Sequence, residues 1–517
     1  MTQIRLILIT VLFFTLFSNY SFFTNVLEVY PLEGMNILYI LSLSLLLFAF
    51  MVFLFTLLSS RYTTKTLLIL LLVVSSFTSY FMNTYHVVID SDMLRNAIQT
   101  DLSESLDLFN INMILYLVIL GIIPSFLIYK TKLKIDSFKV ESFRKLKTLL
   151  LALLVIIIIL FSFSKFYTSF FREHKPLRYY TNPTYWMYSI GDYIAKTLNS
   201  GEVVVKPIGL DAKILNAEKE PKLVIMVVGE ASRADHFSLN GYSRETNPLL
   251  KKENIINLPH VSSCGTSTAH SVPCMFSIFD RKHYSYKKGI STENVLDVLH
   301  HTNQVEILWR DNNSNSKGVA LRVPFEDYKT EKTNTLCDEE CRDNGMLVGL
   351  DAYIKERKGK DILIVLHQMG NHGPAYNKRY TKEFKKFIPV CETNQLEECS
   401  KESINNAYDN ALLYTDYFLS NVINLLKKYD KSYKTTMIYM SDHGESLGEH
   451  GIYLHGLPYF MAPDAQTHVG AIVWFGKSNQ KTIDPSKAYS HDNLFHTLLG
   501  LFNVQTKVYK QEMDMLK

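Results

Sequence analysis

KLVIMVVGE (222–230) is a continuous apolar run closed by a carboxylate, the pattern of a strand buried on both faces of a parallel sheet. VEILWR (305–310), DILIVLHQ (361–368), TTMIYMSDH (435–443) and AIVWFG (471–476) read the same way. Helical segments are expected between them at 292–301, 344–357 and 403–429. Strands alternating with helices imply an α/β layered fold around a mostly parallel sheet. Ligands of such sheets sit beyond the carboxyl ends of the strands. Glu230 and the pair Asp442–His443 close two of these strands, and the loop carrying His372 follows a third, so all are expected at one edge of the sheet.

The chain upstream is of another kind. Apolar stretches long enough to cross about 30 Å of hydrocarbon occur near 4–23, 35–58, 66–84, 112–130 and 147–166. They predict an all-α domain of five transmembrane helices over 1–166. The stretch 66–84 is the most polar of them, with Ser75, Ser76, Thr78 and Ser79, hydroxyls that helix neighbours can satisfy. The short loops assign orientation. Arg61 and Lys65 lie in 59–65, and Lys130, Lys132, Lys134, Lys139, Arg144, Lys145 and Lys147 lie in 130–147, which marks both loops as cytoplasmic. The loop 24–34 has no Lys or Arg, and 85–111 is mainly acidic, so these face the other side. The N-terminus is then cytoplasmic and the chain after about 167 external, with the first helix retained because no small-residue cleavage site stands out.

Residues 167–215 are dense in aromatic and charged side chains, including Tyr167, Phe170, Arg172, Tyr180 and Trp186. Such side chains favour the headgroup level, so a short interfacial helix and then an extended link are expected, with an ordinary ordered linker as the alternative. The catalytic candidates all fall in 216–517. All six cysteines lie there too, as the close pairs Cys264/Cys274, Cys337/Cys341 and Cys391/Cys399. Even number and close spacing suit an oxidising compartment and three local disulfides. Metal ligation by Cys337 and Cys341 is the competing reading. A formal charge of +4 is too small to argue for nucleic acid.

Four blocks carry chemistry: VVGEASR (227–233), CGTSTAHSVPC (264–274), NHGP (371–374) and SDHGES…LHG (441–456). Glu230, Asp442 and His443 can supply three of the four positions that zinc fills with nitrogen and oxygen ligands, leaving one open as catalytic sites do. A bridge between Cys264 and Cys274 would hold the intervening hydroxyls at a helix start, where free N–H groups meet an anionic phosphate. A threonine whose oxygen reaches zinc can attack phosphorus. Spacing alone does not choose among Thr266, Ser267, Thr268 and Ser271. His372 and His455, each beside glycine, can bind a second metal, donate to phosphate or protonate a leaving alkoxide.

VVGEASRADHFSLNGYSRETNP, SCGTSTAHSVPCMFS, WRDNNSNSKGV, NHGPAY and SDHGESLGEHGIYLHGLPY closely resemble the matching stretches of the bacterial phosphoethanolamine transferases. That family modifies lipid A and related surface glycolipids, and it includes the transferable colistin-resistance enzymes. The resemblance runs along the whole chain. It implies five membrane helices in the bacterial inner membrane and a periplasmic domain of the alkaline phosphatase and sulfatase type. It also implies Thr268 as nucleophile, and zinc held by Glu230, Thr268, Asp442 and His443, with a second zinc left open. His372 and His455 match residues assigned to the substrate phosphate or that second zinc, and Ser314 and Lys317 match a polar wall of the pocket. MLRNAIQTDLSE (93–104) would carry over Asn96, Thr100 and Glu104 as contacts to the ethanolamine head group. The implied donor is phosphatidylethanolamine and the implied acceptor lipid A or lipopolysaccharide, with a phosphoethanolamine–threonine intermediate, polymyxin resistance as the consequence and a monomer as the working state. No core position departs from the family pattern, though its members differ in their number of cysteine pairs.

Three rivals remain at this level. A lipoteichoic-acid-type synthase would move glycerol phosphate with the same helices and threonine, but six cysteines and an acidic 93–104 loop suit a cationic head group better. A membrane-anchored sulfatase or phosphatase is the second, and CGTSTAHSVPC lacks the arginine that formylglycine formation needs. A noncatalytic receptor would have no use for Glu230, Thr268, Asp442 and His443 together.

Overall fold

The structure, a computed structural model, describes residues 1–99, 108–134, 136–198, 204–214 and 220–517. The chain falls into two compact units, one of Met1–Leu94 and Phe109–Lys196, the other of Arg95–Leu108 and Thr197–Lys517.

The first unit is helical. Asn36–Leu58, Thr64–Thr84, Ile111–Lys130 and Phe138–Ser162 are each long and apolar enough to cross a membrane. Gln3–Ser18 and Tyr20–Val29 meet at a bend of 57°, so the described residues hold four candidate spans, or five if the bent pair counts as one. The helix expected near 4–23 is therefore bent, and the bend has a cause. Asn19, buried at the bend, donates to the Phe14 carbonyl at 2.9 Å and to the Asn182 carbonyl at 2.6 Å, and a side chain that enters the helical ladder kinks it. Asn182 in turn donates to the Ser75 carbonyl and the Ser79 hydroxyl, and Trp186 Nε1 donates to Asn182 Oδ1 at 3.0 Å. Ser75 and Ser79 thus serve a buried network that ties 182–186 into the bundle, while Ser76 and Thr78 donate to carbonyls of their own helix. Gly121 marks a second close approach, since a Cβ there would lie 2.8 Å from Ser76 Oγ. Elsewhere the helices present bare apolar faces, with Leu16, Leu150 and Phe161 among the exposed residues, as lipid-facing helices do.

The extended link expected within 167–215 is largely helix instead, as Ser164–Glu173, a 3-10 turn at Lys175–Tyr180 and Thr184–Leu198. Tyr167, Phe170, Tyr180 and Trp186 are buried rather than turned outward. Tyr39 stacks on Phe166 at 4.4 Å, and Tyr167 shares a hydrogen bond with Ser42. Burying four large rings outweighs the preference of such side chains for an interface.

The second unit is built on a seven-stranded sheet. Its strands are β1 (Lys222–Gly229), β2 (Ile255–Asn257), β3 (Val305–Asp311), β4 (Phe325–Asp327), β5 (Asp361–His367), β6 (Lys434–Ser441) and β7 (Ala471–Phe475). Their order across the sheet is β2-β7-β6-β1-β5-β3-β4. β4, β3, β5, β1 and β6 run parallel, while β7 runs antiparallel to both β6 and β2. The apolar run 471–476 is therefore not a parallel strand, and β2 and β4, short and half-exposed, extend the sheet beyond the five strands read from sequence. Every residue of β1 is buried. Val224, Met226 and Val228 share one core with Val272, Leu296, Leu299 and Leu498 from helices on that face. Leu223, Ile225 and Val227, pointing the other way, are buried too, which is why the run is continuous rather than alternating. The helices Val295–His301 and Lys401–Lys427 begin at Asn294 and Ser400, whose side chains accept the first free backbone N–H groups. The three cysteine pairs are joined as Cys264–Cys274, Cys337–Cys341 and Cys391–Cys399.

Candidate active site

Gly229 pairs with Ser441 across β1 and β6, so the next residues of both strands, Glu230 and Asp442, leave the sheet side by side. Asp442 N donates to the Gly229 carbonyl at 3.0 Å. Ala231 turns into the left-handed region at φ 55°, as do Lys317 at 48° and Leu454 at 64°. Left-handed backbone in residues with a Cβ is held only where surroundings over-determine it, and it gathers at functional sites. Gly370 (φ 50°) lies against the same corner, where a Cβ would come within 2.9 Å of the Glu230 carbonyl.

Thr268 opens the helix Thr268–Met275. Its hydroxyl donates to Glu230 Oε2 at 3.2 Å and lies 3.3 Å from His443 Nε2. Two other hydroxyls of the block are spent elsewhere: Thr266 donates to the Leu457 carbonyl and Ser271 donates to the Asp442 carbonyl, while Ser267 stands just before the helix. His491 fixes the block to β6. Its Nδ1 accepts from Cys264 N at 3.0 Å while its Nε2 donates to the Ser441 carbonyl at 2.9 Å.

The donor set suits a divalent cation. Glu230 Oε2 accepts from Asn313 Nδ2 at 2.8 Å, and Asp442 Oδ1 accepts from the Ala231 and His443 backbone N–H groups. The second oxygen of each carboxylate, Glu230 Oε1 and Asp442 Oδ2, is buried with no hydrogen-bond donor. His443 donates from Nδ1 to the Gly444 carbonyl, so its Nε2 carries a lone pair, 3.3 Å from Glu230 Oε1 and 3.4 Å from Asp442 Oδ2. Burial and then the neighbouring Asp442 push Glu230 up to about 7, and burial pushes Asp442 up to about 6 and His443 down to about 4. Two buried carboxylates with bare oxygens facing one imidazole lone pair form a group that could hold a metal ion.

A second cluster adjoins the first. The His443 and His455 rings lie 4.2 Å apart, and His372 meets His455 edge-on at 5.5 Å. His455 Nδ1 donates to Glu445 Oε2 at 2.7 Å, and the Tyr376 hydroxyl donates to Glu445 Oε1 at 2.7 Å. Burial opposes a charge on His455, but Glu445 outweighs it and raises the imidazole to about 9. His372 has no such partner, and burial holds it well below its ordinary value. His443, Glu445 and His455 also form a group whose ligand atoms could share a metal.

Lys317 Nζ donates to Ser314 Oγ at 2.6 Å and to the Gln99 carbonyl at 3.3 Å, bringing the polar wall to the segment that carries Asn96. Thr100 and Glu104 lie outside the described residues. Three residues were missed at the sequence level. Asn313 adjoins Ser314, and Glu445 lies inside SDHGES, so both were within quoted blocks. His491, in SHDN far downstream, had no signal that could have found it.

Residues 222–504 match the sulfatase family model, and residues 47–198 match the model of the phosphoethanolamine transferases EptA/EptB. The chain is 44% identical to the phosphatidylethanolamine transferase Mcr-1 of Escherichia coli, over 98% of this chain and 96% of that protein. It is 38% identical to the phosphoethanolamine transferase EptA of Escherichia coli K12, over 99% and 96% of the two chains. The solved structure of the integral membrane lipooligosaccharide phosphoethanolamine transferase A of Neisseria meningitidis is similar over 99% of this chain and 98% of its own, with a TM-score of 0.94 and 35% identity.

Proposed function

This chain belongs to the phosphoethanolamine transferase family and is an enzyme of that class, and from that premise we propose that it transfers phosphoethanolamine from phosphatidylethanolamine to lipid A or a related surface glycolipid through a covalent intermediate on Thr268. The observation that carries the reading is the meeting of the Thr268 hydroxyl with Glu230 Oε2 and His443 Nε2, at 3.2 and 3.3 Å, beside two bare carboxylate oxygens.

Glu230, Thr268, Asp442 and His443 would hold one zinc ion, which when bound lowers the hydroxyl pKa and offsets negative charge on the phosphoryl oxygens. Thr268 Oγ, its proton released to solvent, attacks the phosphorus of phosphatidylethanolamine, and the bond from phosphorus to the diacylglycerol oxygen breaks. His455, oriented and kept protonated by Glu445, gives a proton from Nε2 to that leaving oxygen. Lys317 and Ser314 donate to the phosphoryl oxygens, and His372 lines the same pocket as a neutral imidazole. Asn96, Thr100 and Glu104 hold the ethanolamine ammonium. An acceptor phosphate oxygen then attacks phosphorus, the bond from phosphorus to Thr268 Oγ breaks to return the alkoxide, and His455 regains its proton from solvent.

Both substrates are lipids, which fits a catalyst tied to an anchor over 1–166, through a connector over 167–215, to a catalytic domain over 216–517. The reading takes the anchor as spanning the inner membrane five times with the N-terminus cytoplasmic and the catalytic domain periplasmic. The added ammonium lowers the negative charge of the surface, so cationic polymyxins bind it less. A monomer suffices for all of these steps.

The test is lipid A mass in a Gram-negative host expressing the wild-type chain or Thr268→Ala. Phosphoethanolamine addition with the first and none with the second is expected, together with lower polymyxin susceptibility in the first alone. No addition and no release of diacylglycerol from phosphatidylethanolamine would overturn the proposal. Release without lipid A modification would assign another acceptor.

A further inference from the structure

The loop that carries His372 is gripped at both ends by one small hairpin. The disulfide Cys337–Cys341 closes a ring around Asp338, Glu339 and Glu340. Glu340 forms an ion pair with Arg379, whose side chain is 1% exposed, and Arg379 Nε donates to the His372 carbonyl at 2.7 Å. Two residues past the disulfide, Asp343 is buried, and its carboxylate accepts from Met369 N at 2.8 Å and Gly370 N at 3.1 Å. Between these two grips Arg342 donates to the Lys378 carbonyl and pairs with Asp338. Asn312, just past β3, docks the hairpin on the sheet by donating to the Cys341 carbonyl at 2.9 Å and to Asp343 Oδ1 at 2.8 Å.

Glu230, Asp442 and His443 follow β1 and β6 directly, and Thr268 is fixed to β6 through Ser271 and His491. His372 instead sits five residues beyond the end of β5, in a stretch with no sheet pairing of its own. A disulfide restricts the unfolded chain less as the ring it closes shrinks, so a separation of four residues offers little global stability. Its effect is local, on where Glu340 and Asp343 stand.

We propose that the Cys337–Cys341 hairpin is a clamp for His372, with Glu340, Arg379 and Asp343 as positioning residues. The disulfide holds Glu340 against Arg379 and Asp343 against the backbone of 369–370, and these contacts set the His372 imidazole against His455. The proposal rests on the reading above in which His372 acts in the substrate pocket.

The test is a mutant cycle on the full-length enzyme in phosphatidylethanolamine vesicles, with kcat and KM for diacylglycerol release, bound zinc per chain, and hydrogen exchange over 369–372. Glu340→Gln and the double variant Cys337→Ser/Cys341→Ser are expected to lower kcat on the order of tenfold, with KM within about twofold and bound zinc unchanged, and to speed exchange in the loop. In a His372→Ala background Glu340→Gln is expected to cost nothing further, because coupled residues do not add. An equal further loss there, or an undiminished kcat in Glu340→Gln while His372→Ala is impaired, overturns the clamp and leaves the role of His372 standing. Full activity in His372→Ala overturns that role itself, and the clamp with it. If the double cysteine variant does not fold, the Glu340 and His372 cycle still decides.

Discussion

His443 and His455 stand a ring's width apart and differ in protonation because their Nδ1 partners differ. His455 donates to the carboxylate of Glu445, and that charge keeps it protonated through neutral pH against the pull of burial. His443 donates to a peptide carbonyl, burial prevails, and its Nε2 stays free to ligate. Replacing Glu445 by Gln keeps a hydrogen-bond acceptor and removes the charge, so kcat is expected to fall about a hundredfold with little change in KM. An unchanged kcat would mean that His455 is not the proton donor. Thr268→Ser retains a hydroxyl at the helix start and should keep measurable transfer, while Thr268→Ala should keep none, as read by trapping of the phosphorylated side chain in mass spectra. Spacing offered four hydroxyls in one block and left the choice of Thr268 to the family resemblance, because which one faces Glu230 depends on the helix beginning at Thr268 rather than a residue earlier. Glu445 was equally hidden, since nothing local separates it from Glu449, which pairs with Arg233 instead.

At the scale of elements, the strand ends were the legible part. Five buried strands announce themselves as apolar runs, and two of them run straight into the proposed metal ligands Glu230 and Asp442–His443. The direction of β7 was not legible, because a short apolar run looks the same parallel or antiparallel. β2 and β4 have three residues each and too little periodicity to register. Tertiary pairing between strand ends was also invisible. Asp311 and His367 are register partners at the ends of β3 and β5, and their side chains meet at 2.9 Å in full burial, with Trp309 Nε1 donating to the same carboxylate. Burial opposes both charges, yet each holds the other: Asp311 lies below its ordinary 3.8 and His367 above its ordinary 6.5. The stabilisation from His367 is present below 6.5 and lost as pH rises through its elevated value. That from Asp311 is present above 3.8 and lost as pH falls through its depressed value. The pair is therefore worth most between about pH 4 and 6.5. Asp311→Asn should cost about 3–5 kcal/mol in that window, since it leaves a buried imidazolium without its partner. Thermal unfolding in detergent across pH reads this directly, and a deficit independent of pH would show that the pair is not ionised.

On the scale of the whole molecule, hydropathy and Lys/Arg bias made the anchor legible, but not the bend at Asn19, because Asn182 lies 163 residues further along the chain. Nor could the sequence show that the two units are interleaved. Residues 95–99 lie in the chain between two candidate membrane spans yet group with the second unit, where the Arg95 guanidinium sits 4.0 Å from the Tyr286 ring and Gln99 meets Lys317. A fragment covering 204–517 therefore loses more than its tether. The residues proposed to hold zinc, Glu230, Thr268, Asp442 and His443, all lie within 222–455, so it should bind zinc and release alcohol from a soluble phosphodiester in a Thr268-dependent way. It lacks Asn96, Thr100 and Glu104, the proposed head-group contacts, so KM for a substrate with an ethanolamine head group should rise to match that for one with a neutral head group. It also lacks the anchor, which turns encounter with a membrane lipid into an event at an effective concentration near millimolar, so transfer to lipid A in vesicles should drop by about 10²–10⁴. The two losses separate in one experiment. Adding an unrelated transmembrane helix to the fragment should restore encounter but not head-group preference, whereas recovery of both would mean that 95–108 takes no part in recognising the donor.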